Sequence, residues 1–449
     1  MWRVSGWRSN LVSRTVSPMP VGRRRVRPVA TAALAALALV VAACGGPAPT
    51  VDTPAVPAAS VAAPTNSAPA ATPGASSTPP SVSGWVRAAS IEQPTGFMTA
   101  QTGVVITRGC APCHPAIDSL MTGVADGPAG LVTVGWILQD FSAAFWHSSD
   151  ASTWTFSGGF PTETLLAAVA ADDQRYVAVG RSGDAIMAWT STDAATWTQV
   201  HSPAFAGPPL RFTSVAAWKG GFVAGGYAGT EFFSANAALW TSPDGLSWTR
   251  AADTPSFHDA RVWGVAPGGP GLVAVGQTGP ADAPGPVIVW TSPDGRSWTP
   301  VADSPIFQGG RIRAIASVPS IGLVAVGEDL AGDTGIVWVS PDGRTWKRAP
   351  ADPTFGRPGI QVRIYTVTAG PNGVVAAGTL DAGVQYGEAV VWTSPDGYAW
   401  TRAPDGPEFL DTEMTGSTRW DDRVVAIGDR GAPDAYQATA WLSPSGVGR

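Results

Sequence analysis

Between residues 84 and 446 the chain is a succession of short apolar runs of about 4–7 residues, broken by Gly, Pro and Asp. One run ends in glycine each time: Leu131-Val132-Thr133-Val134-Gly135, Tyr176-Val177-Ala178-Val179-Gly180, Phe222-Val223-Ala224-Gly225-Gly226 and Leu272-Val273-Ala274-Val275-Gly276. It returns at 323–327, 374–378 and 424–428. Another run precedes it, as in Arg261-Val262-Trp263-Gly264-Val265-Ala266, and two follow, one entering and one leaving a pair of tryptophans. This pattern predicts four β-strands per unit. Helix signals are nearly absent, with no heptads and few charged i,i+4 pairs. The runs are apolar on both faces, as a sheet packed between two neighbours requires. In four units the first run opens with Arg and the third residue after it is small (Ser214, Gly264, Ala314, Thr366). That suits an innermost strand crowded against a central channel.

The tryptophans set the period. Fourteen of the 20 fall into pairs built on Trp-x-Ser-x-Asp-Gly-x-x-Trp: Trp146/Trp154, Trp189/Trp197, Trp240/Trp248, Trp290/Trp298, Trp338/Trp346, Trp392/Trp400 and a split seventh pair. Trp441 opens the last phrase, Trp441-Leu442-Ser443-Pro444-Ser445-Gly446, and its missing half stands near the other end as Trp85-Val86-Arg87-Ala88. That half copies Trp248-Thr249-Arg250-Ala251 and Trp400-Thr401-Arg402-Ala403. First tryptophans recur every 43–54 residues, the period of a four-stranded propeller blade. The predicted fold is an all-β, seven-bladed β-propeller over 84–446, closed by Trp85–Ala89 as the outermost strand of the last blade.

The phrase Ser292-Pro293-Asp294-Gly295-Arg296-Ser297-Trp298 resembles the Asp-box of the sialidase-type BNR repeat, and the likeness spans nearly all of 84–446. In such a turn Asp accepts hydrogen bonds from its own backbone, Gly takes a positive φ, Ser braces the loop and Trp buries against the hairpin. Asp150, Asp193, Asp244, Asp294, Asp342 and Asp396 therefore read as structural, not as metal ligands. The resemblance implies that they lie on the face opposite a ligand. Asp150 and Asp193 precede Ala instead of Gly, and Ser445 replaces the last Asp, which predicts looser turns.

Outside the repeats, residues 1–43 read as an export signal. Arg23, Arg24, Arg25 and Arg27 precede an apolar run, Val29 to Ala43, shorter than the ~20 residues of a membrane span. Val41-Ala42-Ala43-Cys44-Gly45 resembles the bacterial lipobox, which implies a lipid-anchored Cys44 on the extracytoplasmic face. Met19 would make a better start than Met1. Residues 44–83, rich in Pro, Ala, Ser and Thr, read as a tether. Without residues 1–43 the chain holds 21 basic against 34 acidic residues, a net charge of −13 with two Lys, which disfavours nucleic acid as a partner. A monomer is expected.

Candidate chemistry gathers at one rim. The family resemblance places ligands at the loops that enter the innermost strands. The rim position there reads Leu120, Leu165, Arg211, Arg261, Arg311, Arg363 and Glu413 around the ring. Four arginines in consecutive blades could grip a carboxylate or phosphate bidentately, or could pair with acids such as Asp253, Asp259 or Asp303. Sialidases use three Arg, a Tyr activated by a Glu, and an Asp acid. Here Tyr386 with Glu388, or Tyr436 with Asp434, would sit in ligand-face loops. Against that, the Arg-Ile-Pro motif is absent and seven blades replace six. Cys110-Ala111-Pro112-Cys113-His114 matches c-type haem attachment, with Met121 the one sixth-ligand candidate, yet an exported Cys110–Cys113 disulfide explains the same pair. The balance favours a non-catalytic binder of a protein, peptide or glycan over a glycoside hydrolase acting on an anionic sugar. Redox chemistry at 110–114 comes third.

Overall fold

The computed structural model describes residues 83–93, 118–158, 161–207, 210–229, 235–280, 283–302, 304–356, 359–381, 387–432 and 435–447. Residues 1–43, expected as a signal, and 44–82 of the expected tether, with Cys44, lie outside these residues, as do Cys110, Cys113, His114, Asp303, Tyr386 and Asp434. Seven antiparallel sheets stand in a ring, each with four strands of a blade. Blades 1 to 7 are named here by their inner strands: Ser119–Gly127, Thr164–Ala171, Leu210–Trp218, Ala260–Gly268, Gly310–Val318, Gln361–Gly370 and Thr412–Trp420. In blade 4 the second strand is Gly271–Thr278, the third Val287–Ser292 and the outer Thr299–Pro300. Second strands are buried along most of their length, because both faces meet a neighbouring blade.

The inner strand carries the feature that shapes the channel. Each one slips register by a single residue, leaving Thr122, Ala167, Thr213, Trp263, Arg313, Tyr365 and Thr415 unpaired as bulges. Opposite each bulge stands the glycine that ends the Val-Gly run. A Cβ on Gly276 would collide with the carbonyl oxygen of Arg261, and the same holds for Gly327 under Arg311, Gly378 under Arg363 and Gly428 under Glu413. Thr122, Thr213 and Thr415 use their bulged position to donate to a carbonyl of the next blade, at Leu166, Val262 and Met121 (3.0, 2.8 and 2.7 Å). The small residues after the rim pack against the adjacent inner strand: a Cβ at Gly264 would lie 3.0 Å from Ile315.

The tryptophan turns repeat closely. Asp294 Oδ1 accepts from the N–H groups of Arg296 and Ser297 at 2.9 Å each, Ser292 Oγ donates to it, and Trp298 Nε1 donates to Gly295 O at 3.0 Å. The turns at Ala151 and Ala194 are no looser. Both alanines adopt the positive φ (58° and 64°), and Asp150 and Asp193 keep both amide bonds at 2.7–3.0 Å. The two bonds hold the turn closed against the ~1–2 kcal/mol that a left-handed alanine costs. At the last phrase Ser443 Oγ accepts from Val424 N instead (2.8 Å).

Two expectations need correction. Outer strands have 2 to 5 residues, not the full length of the other runs, because the chain leaves them into a Pro-x-Phe 3-10 turn in five connections. The first Trp of the following blade donates its Nε1 into that turn, as Trp240 does to Ala204 O (2.9 Å) and Trp338 to Ile306 O (2.9 Å). The N-terminal segment also reaches further than one blade. Val86–Arg87 pairs with Leu442 and Trp441 and completes blade 7, with Trp85 buried beside Trp441. Ser90–Ile91 then crosses the seam and adds a fifth, parallel strand to blade 1 against Thr153 and Trp154.

Two outcomes follow for stability. Gly276→Ala should lower the unfolding free energy by about 3 kcal/mol through overpacking against backbone. Gly183→Ala, at φ 56° with open space around it, should cost only about 1 kcal/mol. Chemical denaturation of the two variants reads the difference, and equal losses would contradict the bulge packing. The turn aspartates all sit below their ordinary range, Asp193 at about 2, chiefly through their amide donors; at Asp244 burial pushes the other way and the amides of Ser247 and Leu246 outweigh it. Their contribution is present above the unfolded value of ~3.9 and is lost as pH falls through the folded values. Melting temperature should therefore drop steeply between about pH 4 and pH 2.

Candidate functional site

Register fixes which groups share a face. Arg261 opens its inner strand opposite Gln277, at the end of the second strand, and Gln277 is opposite Val287, where the third begins. Ser292, which leads into the Asp294 turn, pairs instead with Leu272 at the far end. The tryptophan turns and the arginine rim therefore occupy opposite faces of the ring. Each blade offers its rim residue, the cross-strand partner after the glycine, and the bulge residue. Blade 1 contributes Leu120, Trp136 and Thr122; blade 5 contributes Arg311, Glu328 and Arg313; blade 6 contributes Arg363, Thr379 and Tyr365; blade 7 contributes Glu413, Asp429 and Thr415.

The four candidate arginines do not act alike. Arg211 pairs with the exposed Asp184 at 3.5 Å and donates to Leu210 O at 2.8 Å. Arg261 is 1% exposed, donates to the Gly279 carbonyl and lies 5.3 Å from the Tyr227 ring, so it packs between blades 3 and 4 and presents no face to a ligand. Arg311 and Arg363 remain about one third exposed. None of the four pairs with Asp253 or Asp259: Asp253 meets His258 at 3.3 Å, and Asp259 N–H donates to Asn236. Met121 is fully buried in the core between blades 7 and 1. Tyr436 is exposed and donates its N–H to Asp118, while Glu388 begins a third strand.

Around Arg311 and Arg363 the structure gathers groups that spacing alone did not single out. Arg313 clamps the buried carboxylate of Glu328 through Nε and Nη2 at 2.9 and 2.6 Å, and its guanidinium lies 5.6 Å from the Tyr365 ring. Arg311 Nε reaches the same carboxylate only at 3.9 Å. Two guanidiniums thus share one carboxylate, and burial followed by the repulsion of Arg313 hold Arg311 below its ordinary range. Arg363 has Gln361 at 3.2 Å and Asp381 at 3.8 Å. Tyr365 is pushed up by burial and then by Glu413, against the opposing pull of Arg363. Burial also pushes up Glu413, and pushes Asp429 to about 7 with Glu413 adding to it. The signal for Glu328 and Asp429 was the residue after each Val-Gly glycine; for Arg313 and Tyr365 it was the residue two beyond the rim.

No protein-family model and no curated protein matches this sequence. Among solved structures, YCF48 bound to D1 peptide is similar at 13% identity and a TM-score of 0.49, over 74% of this chain and 94% of that one. Trypanosoma rangeli sialidase is similar at 14% identity and a TM-score of 0.42, over 80% of this chain and 59% of that one. A catalytically inactive virginiamycin B lyase from Staphylococcus aureus, solved with quinupristin, is similar at 11% identity and a TM-score of 0.46, over 72% and 94%. These likenesses concern the arrangement of strands; they assign nothing to the rim.

Asp429→Asn gives a pH-dependent test of the rim's electrostatics. With its folded value raised, the Asp429 carboxyl takes stability away as pH climbs from the unfolded ~3.9 towards 7. The variant should melt several degrees above the parent at pH 8, with the gap closing at pH 4. An equal gap at both values would show that Asp429 is not buried as described.

Proposed function

We propose that the chain is a lipid-anchored, extracytoplasmic binding propeller that holds a protein, peptide or glycan at the channel mouth of blades 5 to 7 without turning it over. The observation that carries this reading is a local shortage of counter-charge in blade 5: among the described residues Arg311 and Arg313 have one buried carboxylate, Glu328, between them, and both keep part of their guanidinium in solvent. A ligand carboxylate would complete that balance with charge-assisted hydrogen bonds, each contributing about 1.5–3 kcal/mol. The half-buried Tyr365 speaks against nucleophilic chemistry, since its hydroxyl is driven away from ionisation. Anchoring rests on Cys44 in its lipobox-like setting, and the tether would let the ring stand off the membrane.

A second reading, glycoside hydrolysis, draws on one observation. Asp429 is a carboxyl that burial pushes up to about 7 beside a second carboxyl, the range a general acid requires.

Peptide and glycan arrays probed with the full-length protein should show carboxylate-bearing ligands, with signals reduced more than tenfold by Arg311→Ala/Arg363→Ala. Fluorogenic sialosides should remain intact. Binding that survives both substitutions would overturn the assignment of the mouth, and turnover lost in Asp429→Asn would establish the hydrolase instead. For the anchor, Cys44→Ala should move the protein from the membrane pellet into the soluble fraction; retention in the pellet would exclude lipid at that residue.

A further inference from the structure

Glu413 and Asp429 are direct cross-strand partners in blade 7. Like charges placed opposite each other destabilise a sheet, and buried carboxylates in folded proteins are ordinarily paired or hydrogen-bonded. Asp429 is 7% exposed, and among the described residues neither carboxyl has a hydrogen bond or an ion pair. The other buried rim acid is engaged, Glu328 by Arg313 and Arg311, and the half-buried Asp381 faces Arg363. Val425 and Ile427 pack against Met121, Val124 and Leu131 of blade 1, so alternation along the strand turns Asp429 the same way. Blade 1 answers there with Leu120 and Trp136 at the rim, and its Asp118 is taken by the N–H of Tyr436. From blade 6 the charged and titratable groups felt by the pair are Arg363, Tyr365 and Asp381.

Resting on the channel mouth as the binding face, we propose that Glu413 and Asp429 receive a primary ammonium group of a peptide ligand, a lysine side chain or a free chain N-terminus. Beside them Arg311 and Arg363 hold that peptide's carboxylates. An ammonium brings one positive charge and three donors, which two adjacent carboxyls can accept together. A divalent cation fits poorly: calcium takes 6–8 oxygens, and no group of three His, Cys, Asp or Glu side chains able to hold a metal occurs among the described residues. The Arg363 guanidinium next to Glu413 would repel a double charge further. Docking the ammonium transfers the Asp429 proton to solvent, so association is coupled to release of one proton per ligand below pH 7.

The test uses the full chain and hexalysine as the probe, followed by fluorescence polarisation. Hexalysine should bind at pH 8, its fully acetylated counterpart should not, and affinity should fall severalfold to about tenfold by pH 6. Glu413→Gln/Asp429→Asn should weaken binding at least tenfold, whereas Asp173→Asn/Asp421→Asn, which removes two exposed acids, should leave it unchanged. Hexalysine acetylated only at its N-terminus and hexaglycine with a free N-terminus separate the two ammonium sources. The first double variant relieves a buried like-charge pair, so its melting temperature should not drop, and a loss of binding would not reflect misfolding. Equal binding by that variant, equal weakening by the exposed-acid variant, or calcium binding that Glu413→Gln/Asp429→Asn abolishes without any hexalysine response would each overturn the proposal. Array ligands lost in Arg311→Ala/Arg363→Ala but kept by Glu413→Gln/Asp429→Asn would sink this inference alone. Ligands kept by both would sink the channel-mouth reading as well.

Discussion

The backbone carbonyl of each rim residue lies directly over a glycine of the second strand, and the rest of the ring depends on that contact. Removing a Cβ at Gly276 or Gly327 lets the inner strand bulge by one residue at the point where it enters the channel. The bulge turns one side chain out of register, towards the mouth or the next blade. Where that residue is threonine it latches neighbouring blades through a carbonyl; where it is Arg313 or Tyr365 it furnishes the mouth. The contact involves only backbone atoms of the rim residue. Its side chain is therefore free to vary from Leu120 to Arg311 to Glu413 without disturbing the frame.

The opposite face is built for permanence. The Ser-x-Asp turns satisfy their own polar atoms, and in blades 3 to 6 both tryptophans of the phrase spend their Nε1 on carbonyl or hydroxyl oxygens of a turn. The ring is shut by residues 85–92, which supply the outer strand of blade 7 and then bind along the outer strand of blade 1. Trp146 Nε1 donates to Glu92 O at 2.9 Å and Glu92 accepts from Phe156 N–H, so the seam is held on both sides by one short segment. Closure of this kind leaves no blade edge open at the seam.

Much of the frame was legible because it rests on periodic steric requirements. A glycine is needed under every bulge, and a Trp-Ser-Asp phrase at every hairpin, so both recur in the sequence and count the blades. The split between Trp441 and Trp85 likewise announced the closure. The site was less legible, since rim chemistry differs from blade to blade and carries no period. Arg261 and Arg311 occupy equivalent positions, yet one is sealed against Tyr227 and the other shares Glu328 with Arg313. The identity of their neighbours, across the strand, along it and in the adjacent blade, separates them. Asp429 follows the Val-Gly glycine of its blade, but its pairing with Glu413 is a matter of register. The shortness of the outer strands was not legible, because the Trp-Thr-Arg-Ala run reads as a strand of ordinary length and the Pro-x-Phe turn beyond it leaves no mark on the tryptophan period.

The central claim is that one face of the ring is scaffold and the other receives the ligand. A photo-crosslinking residue placed at Asp333, in the loop between the second and third strands of blade 5, samples the mouth; one at Tyr398, in the turn after Asp396, samples the tryptophan face. With an array-selected ligand, covalent adducts should form from position 333 and none from 398. Adducts from 398 alone would contradict that claim.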